Sequence, residues 1–302
     1  MTYIYSQGWG KSLRAVGRRA DDVEYRMHHA VASIVQVMYS RHPIMGRGTL
    51  IRKLLPLWIT TTICCCVLPL PPTTGFSPEL RGGGRLFLDT ADTGEWDELL
   101  PTGIFHGVTT NPTLLERAGQ PCTIDNLHKM SSKALQMTDE FMCQAWGPTA
   151  QDMFDCGMAL SQPARDRIVV KVPVTKEGVT AASLLIRAGV RVCLTACYHH
   201  KQAIVAASVG AEYLAPYLGR MSDAGMDGGD ECAKMQEIAD GMDSDLRILV
   251  ASIRDVESMT DLAQEGMETF TFAPGIAREL FQEPLTAKAA AAFEEAASNN
   301  GG

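Results

Sequence analysis

The chain has 302 residues, 46% of them hydrophobic and 21% charged, which is ordinary globular material with enough apolar side chains for one sizeable core. Its net charge of -8 leaves no electrostatic footprint for nucleic-acid binding. The nine cysteines form no CxxC pair and no Cys/His zinc spacing, so they read as reduced thiols rather than as a disulfide framework.

Residues 1–84 differ in kind from the rest. The run 54–72 (LLPLWITTTICCCVLPLPP) is apolar and uncharged, and it follows Arg47, Arg52 and Lys53. The small residues Thr73, Thr74 and Gly75 come next, then Phe76. That order of basic, apolar and small residues is the order of a secretory signal. Met45 stands where such a signal would begin, which makes 1–44 an upstream extension and 45–84 the targeting segment. A membrane anchor is the alternative reading of the same run. A signal followed by Phe76, Ser77, Pro78 and a basic, glycine-rich stretch to Arg85 resembles the bipartite plastid leaders of algae with complex plastids. A reducing stroma agrees with cysteines that show no pairing pattern. On this reading the protein has no stable membrane association once the leader is removed.

From Arg85 to the end, 85–302, the chain reads as one catalytic domain. Short β-branched or apolar runs at 86–89, 107–110, 140–145, 168–173, 190–197, 211–216, 247–252 and 269–273 predict strands. Helical patterns lie between them, among them 176–188, 199–209 and 256–265. Gly189, Gly210 and Gly266 follow three of these helices, as glycines at helix C-termini do. Repeated helix–glycine–strand joints imply repeated βα units, and eight units point to an α/β fold, a (β/α)8 TIM barrel. An open doubly wound sheet is the alternative, but no GxGxxG follows the first strand. Residues 286–297 (TAKAAAAFEEAA) predict an extra C-terminal helix, either a solvated cap or an arm that packs on a neighbouring subunit.

Lys171 lies inside the run Ile168, Val169, Val170, Lys171, Val172, Pro173. A strand this apolar is buried on both faces. Desolvation there favours a neutral amine, and a neutral lysine is a nucleophile for carbonyls through a Schiff base. Barrel chemistry collects at the C-terminal ends of the strands. The polar residues at those ends are Asp89, Thr109, Asn111, Gln144, Lys171, Thr195, Tyr217, Arg220, Ser252 and Arg254. Strand alternation places Val169 and Pro173 on the face of Lys171, and Cys193 and Cys197 on the face of Thr195. His199 and His200 would point about 100° apart on a helix, so they read as helix-start surface residues and no metal is expected. The stretch 222–230 (SDAGMDGGD) reads as a solvated loop.

Gly107 to Leu115 (GVTTNPTLL) and Ile168 to Gly178 (IVVKVPVTKEG) resemble the two signatures of the transaldolase family. The runs 86–90, 215–220 and 250–254 match further blocks in the family's order. The resemblance covers the body of the chain and points to the small, single-barrel branch of short transaldolases and fructose-6-phosphate aldolases. It implies that Lys171 forms the imine, that Asp89 is the general acid and base, and that Thr109 and Asn111 hold substrate hydroxyls. It further implies that Ser252 binds the dihydroxyacetone part and that Arg220 and Arg254 clamp the phosphate. Its substrates would be sugar phosphates and small ketoses or aldehydes, with no cofactor, and the family implies homo-oligomers.

Transaldolases of the family typically carry Glu, Asn and Phe where the aldolases carry Gln, an apolar residue and Tyr. This chain has Gln144, Cys193 and Tyr217. Gln144 cannot take a proton as a carboxylate does. Tyr217 can orient or protonate a water together with Thr195. The resemblance therefore implies a fructose-6-phosphate aldolase, with transaldolase as the alternative. Cys193 fits neither pattern closely, Trp146 is expected near the pocket mouth, and the strand end Phe270 to Pro274 shifts its proline by one place.

Overall fold

The computed structural model describes residues 83–300. The leader expected over 1–84, with its apolar run, lies outside the described residues apart from Gly83 and Gly84. Eight parallel strands follow: β1 (Arg85–Asp89), β2 (Phe105–Thr109), β3 (Glu140–Gln144), β4 (Ile168–Pro173), β5 (Arg191–Cys197), β6 (Tyr213–Pro216), β7 (Arg247–Ile248) and β8 (Thr269–Phe272). They pair in the order β7-β6-β5-β4-β3-β2-β1-β8. The seam is closed by Val250, whose N–H donates to the Thr269 carbonyl at 3.0 Å and whose carbonyl accepts from Thr271 at 2.9 Å. The fold is a (β/α)8 barrel.

The regular part of β7 is shorter than its apolar run. Its ladder to β6 nevertheless continues, because Leu249 and Ala251 donate to the Leu214 and Pro216 carbonyls at 2.8 and 2.9 Å. Ser252 then turns into the left-handed region, with φ 60, and the strand ends there.

Helices alternate with the strands: α1 (Thr93–Leu99), α2 (Pro112–Arg117), α3 (Ile124–Ala134), α4 (Ala150–Ser161), α5 (Lys176–Arg187), α6 (Lys201–Val209), α7 (Leu218–Asp223), α8 (Gly228–Gly241), α9 (Val256–Gln264), α10 (Pro274–Glu279) and α11 (Pro284–Asn300). Most begin on a short polar cap that satisfies a free N–H of the first turn. Thr149 and Asp152 cap α4 reciprocally, Thr175 caps α5 and Asp255 caps α9. Gly189, Gly210 and Gly266 all adopt positive φ behind α5, α6 and α9. The stretch 222–230 is not one loop. It closes α7, turns over Ala224–Asp227 and opens α8, with the Asp227 side chain accepting from the Asp230 N–H. The C-terminal helix is present as α11 and buries none of its side chains in this chain.

Two apolar layers result. Phe87, Met142, Val169, Cys193, Tyr213 and Leu249 fill the barrel. A larger set, including Leu88, Trp96, Val170 and Leu185, lies between strands and helices. Among the described residues no helix is long and apolar enough to cross a membrane.

Candidate active site

Lys171 lies on β4 with Val169, which points into the barrel. The lysine is 4% exposed, and its amine donates to the Thr110 carbonyl at 3.4 Å. A cavity of about 270 Å³ opens above it at the C-terminal ends of the strands. Asp89, Asn111, Tyr217, Arg220, Ser252 and Arg254 line that cavity together with Lys171. These residues come from β1 and β4, from the turns after β2, β6 and β7, and from the first turn of α7, so the fold gathers positions more than 160 residues apart in sequence.

The remaining expected residues stand one step back. Thr109 does not line the cavity; its hydroxyl lies 2.6 Å from Asp89 Oδ1 and 2.6 Å from Thr271 Oγ1. Thr195 is fully buried, with its hydroxyl 3.0 Å from that of Tyr217. Gln144 stands beside Lys171 in the β3–β4 register, and Cys193 stands on the other side of Lys171 in the β4–β5 register. Burial pushes the Cys193 thiol up to about 12, which keeps it a neutral, apolar-like wall.

Asn111 caps α2 by accepting from the Leu114 N–H at 3.1 Å. The cap commits its side-chain oxygen and leaves the amide nitrogen as the group to offer a ligand. Arg220 lies over the Tyr217 ring, 4.9 Å from its centroid, and a hydrogen bond to Tyr198 raises its pKa. Tyr198 also stands edge-on to Tyr217, with centroids 5.6 Å apart. Arg254 is exposed and paired with Asp223 at 2.5 Å. Gly219 is what lets Arg254 lie across the start of α7: a Cβ there would sit 2.5 Å from Arg254 Nε and 2.4 Å from the Ser252 carbonyl oxygen.

Sequence reasoning missed Arg117, Thr271 and Tyr198. Arg117 reaches the cavity from the last turn of α2 and is a third guanidinium there. Nothing in its local sequence sets it apart from a surface arginine. Thr271 had a usable signal, a buried threonine between Phe270 and Phe272 on a strand.

Two expectations are corrected. Cys197 does not share the face of Thr195. Ala196 adopts φ 57 and the β5–β6 register slips between Leu194 and Cys197. The alternation is therefore broken, and Cys197 packs outward against Met235. Trp146 does not stand at the cavity; it packs on the outer apolar layer. The premise used to set aside His199 and His200 also fails. They precede α6 rather than lying on it, and their rings are 4.2 Å apart.

A larger cleft, about 590 Å³, opens between α8 and α9. Asp227, Asp230, Asp255 and Asp261 line it, so it repels anions and lacks the nucleophile. The smaller cavity, which joins a buried lysine, a carboxylate and three arginines, is the one equipped for carbonyl chemistry on a phosphorylated substrate.

Residues 86–300 match the profile of a family described as Transaldolase/Fructose-6-phosphate aldolase. A probable transaldolase of Chelativorans sp. (strain BNC1) is 36% identical over 217 residues, which span 69% of this chain and 94% of that protein. Proteins with the same description from Phenylobacterium zucineum (strain HLK1) and Caulobacter sp. (strain K31) are 34% and 33% identical, each over 68% of this chain and 92% of the relative.

Proposed function

We propose that this chain, which belongs to the transaldolase/fructose-6-phosphate aldolase family and so to the aldolase and transferase class of enzymes, is a Schiff-base aldolase that interconverts fructose 6-phosphate with dihydroxyacetone and glyceraldehyde 3-phosphate. Lys171 attacks the ketose carbonyl, and loss of water leaves an imine that serves as electron sink. Asp89 takes the proton of the hydroxyl on the carbon beyond the breaking bond. The carbon–carbon bond breaks, its electron pair passes to the imine, and the phosphorylated aldehyde leaves. Arg220 and Arg254, with Arg117, hold the phosphate. Asn111 and Ser252 hold hydroxyls. The enamine takes up a proton on carbon, water adds to the resulting imine, and dihydroxyacetone departs.

The observation that carries the aldolase reading is the pair Thr195 and Tyr217, with hydroxyls 3.0 Å apart and Tyr217 facing the Lys171 cavity. Gln144 stands next to Lys171 where a carboxylate would mark a transferase, and Cys193 supplies a neutral wall. Together they favour a water held for imine hydrolysis over an enamine kept for an acceptor. The second reading, a transaldolase, is favoured by the description of the relatives above.

Supplying fructose 6-phosphate with and without erythrose 4-phosphate separates the two. Free dihydroxyacetone as main product supports the aldolase, and sedoheptulose 7-phosphate as main product supports the transferase. Borohydride with substrate should trap a covalent adduct that Lys171→Met abolishes; an adduct that persists in the variant overturns the assignment of the lysine. The leader over 1–84 is proposed to direct the protein to a plastid, and a mature N-terminus near Phe76 or Arg85 tests it. The bare helix α11 is proposed as the contact between copies in a homo-oligomer, which sedimentation of a chain lacking α11 tests.

A further inference from the structure

His199, His200 and Glu231 take no part in the site above, and none of them lines the Lys171 cavity. His199 lies in the bend after β5, His200 at the N-cap of α6, and Glu231 in the first turn of α8. Glu231 Oε2 is 3.0 Å from His200 Nδ1 and 3.8 Å from His199 Nδ1. The same oxygen accepts from the His200 backbone N–H at 2.6 Å, which ties the carboxylate to the backbone at the head of α6. Burial pushes this carboxyl up, but the hydrogen bonds from His200 outweigh it and hold its pKa below the usual value.

One ligand atom from each of the three side chains falls within 4.8 Å of the others. Tetrahedral bonds of about 2.0–2.1 Å separate neighbouring ligand atoms by about 3.3 Å. The two measured nitrogen–oxygen separations bracket that value. The Lys201 backbone N–H donates to His199 Nδ1 at 3.2 Å, so the His199 ring must turn from that bond as an ion enters. Two imidazoles and one carboxylate suit zinc and its transition-metal neighbours. They suit magnesium or calcium poorly, since those ions prefer a shell of oxygens.

We propose that His199, His200 and Glu231 form a binding site for a divalent transition ion of the zinc type, with a fourth position left to water. The site joins the start of α6 to the start of α8. It lies beside Tyr198, whose contacts to Tyr217 and Arg220 are described above.

The test is zinc titration of the full-length protein after stripping with a chelator, followed calorimetrically. Thiols and other histidines of the chain also take zinc, so the comparison with variants decides. Wild type should bind one more equivalent of zinc than the double variant His199→Ala/His200→Ala. The difference spectrum with cobalt should show nitrogen and oxygen ligation, without a thiolate charge-transfer band. Equal stoichiometry and affinity in wild type and double variant overturn the proposal, as does a thiolate band in the difference spectrum. Glu231→Gln keeps an oxygen to accept the His200 backbone bond, so it guards against a folding defect in the double variant. It should weaken zinc binding at least about 10-fold, the least that the loss of even an outer partner costs; unchanged affinity there also overturns the site. None of these readouts depends on the aldolase assignment.

Discussion

Thr109 carries one hydroxyl proton, and two oxygens stand 2.6 Å from it, Asp89 Oδ1 and Thr271 Oγ1. While Asp89 is a carboxylate it can only accept, so the proton points to Asp89 and Thr271 donates to Thr109. This orders a short chain, Thr271 to Thr109 to Asp89, that aims the carboxylate. A hydrogen bond to a charged group is worth about 1.5–3 kcal/mol, which converts to roughly 10–100-fold in rate. Thr109→Val should lower kcat by that factor with little change in KM, while Thr109→Ser retains most activity. Steady-state kinetics of the proposed cleavage of fructose 6-phosphate measure both. A raised KM with intact kcat would instead mean that Thr109 holds a substrate hydroxyl. Tyr217→Phe separates a different step. On the proposed aldolase mechanism, losing the hydroxyl paired with Thr195 should slow imine hydrolysis about 10-fold or more, so that the borohydride-trappable adduct on Lys171 accumulates during turnover.

The elements place these side chains, and two of them do so through backbone positions that propensity does not reveal. Ala196 in β5 sits at φ 57, a left-handed conformation that costs an L-residue about 1–2 kcal/mol. Glycine would remove that cost and add about 0.5–1 kcal/mol of its own. Ala196→Gly should therefore stabilise the barrel by up to about 1.5 kcal/mol, and each kcal/mol gained raises Tm by roughly 2–4 °C on a thermal melt. At Gly219 the sign reverses. Its missing Cβ makes room for the Ser252 carbonyl and for Arg254, and a backbone oxygen cannot swing away as a side-chain tip can. Gly219→Ala should displace Ser252 and Arg254 together and raise KM for phosphorylated substrates more than for unphosphorylated ketoses. These two positions also mark the limit of what the sequence discloses. The β-branched runs, the glycines behind α5, α6 and α9, and the polar strand ends make the barrel and the Lys171 cavity legible. The turn at Ala196 is not, because alanine has no preference for that conformation, and the alternation that placed Cys197 inward fails there. Nor is the role of Thr109, which depends on Thr271 at a separation of 162 residues.

Across the whole molecule the two ends of the barrel are chemically divided. The cavity occupies the C-terminal ends of the strands. The N-terminal end is closed by charge: Glu140 on β3 meets Arg191 of β5 at 2.6 Å and Arg85 of β1 at 3.3 Å, and Tyr213 of β6 donates to it at 2.9 Å. Burial alone would raise the Glu140 carboxyl; His106 and Arg191 outweigh it and hold it at about 2. A buried ion group of this kind is costly to break because the partners left behind remain charged. The folded pKa is depressed below the ordinary value, so the stabilisation is complete above that value and is lost as pH falls towards about 2. The shift corresponds to about 3 kcal/mol at neutral pH. Glu140→Gln should therefore lose about 3 kcal/mol in urea unfolding near pH 7, and the gap to wild type should narrow steadily from pH 5 downward. A gap that stays constant with pH would assign the loss to packing instead of charge. Because Glu140 lies at the opposite end from Lys171, the folded variant should keep the wild-type KM for the proposed substrate, fructose 6-phosphate, which separates stability at the barrel floor from the chemistry proposed at its mouth.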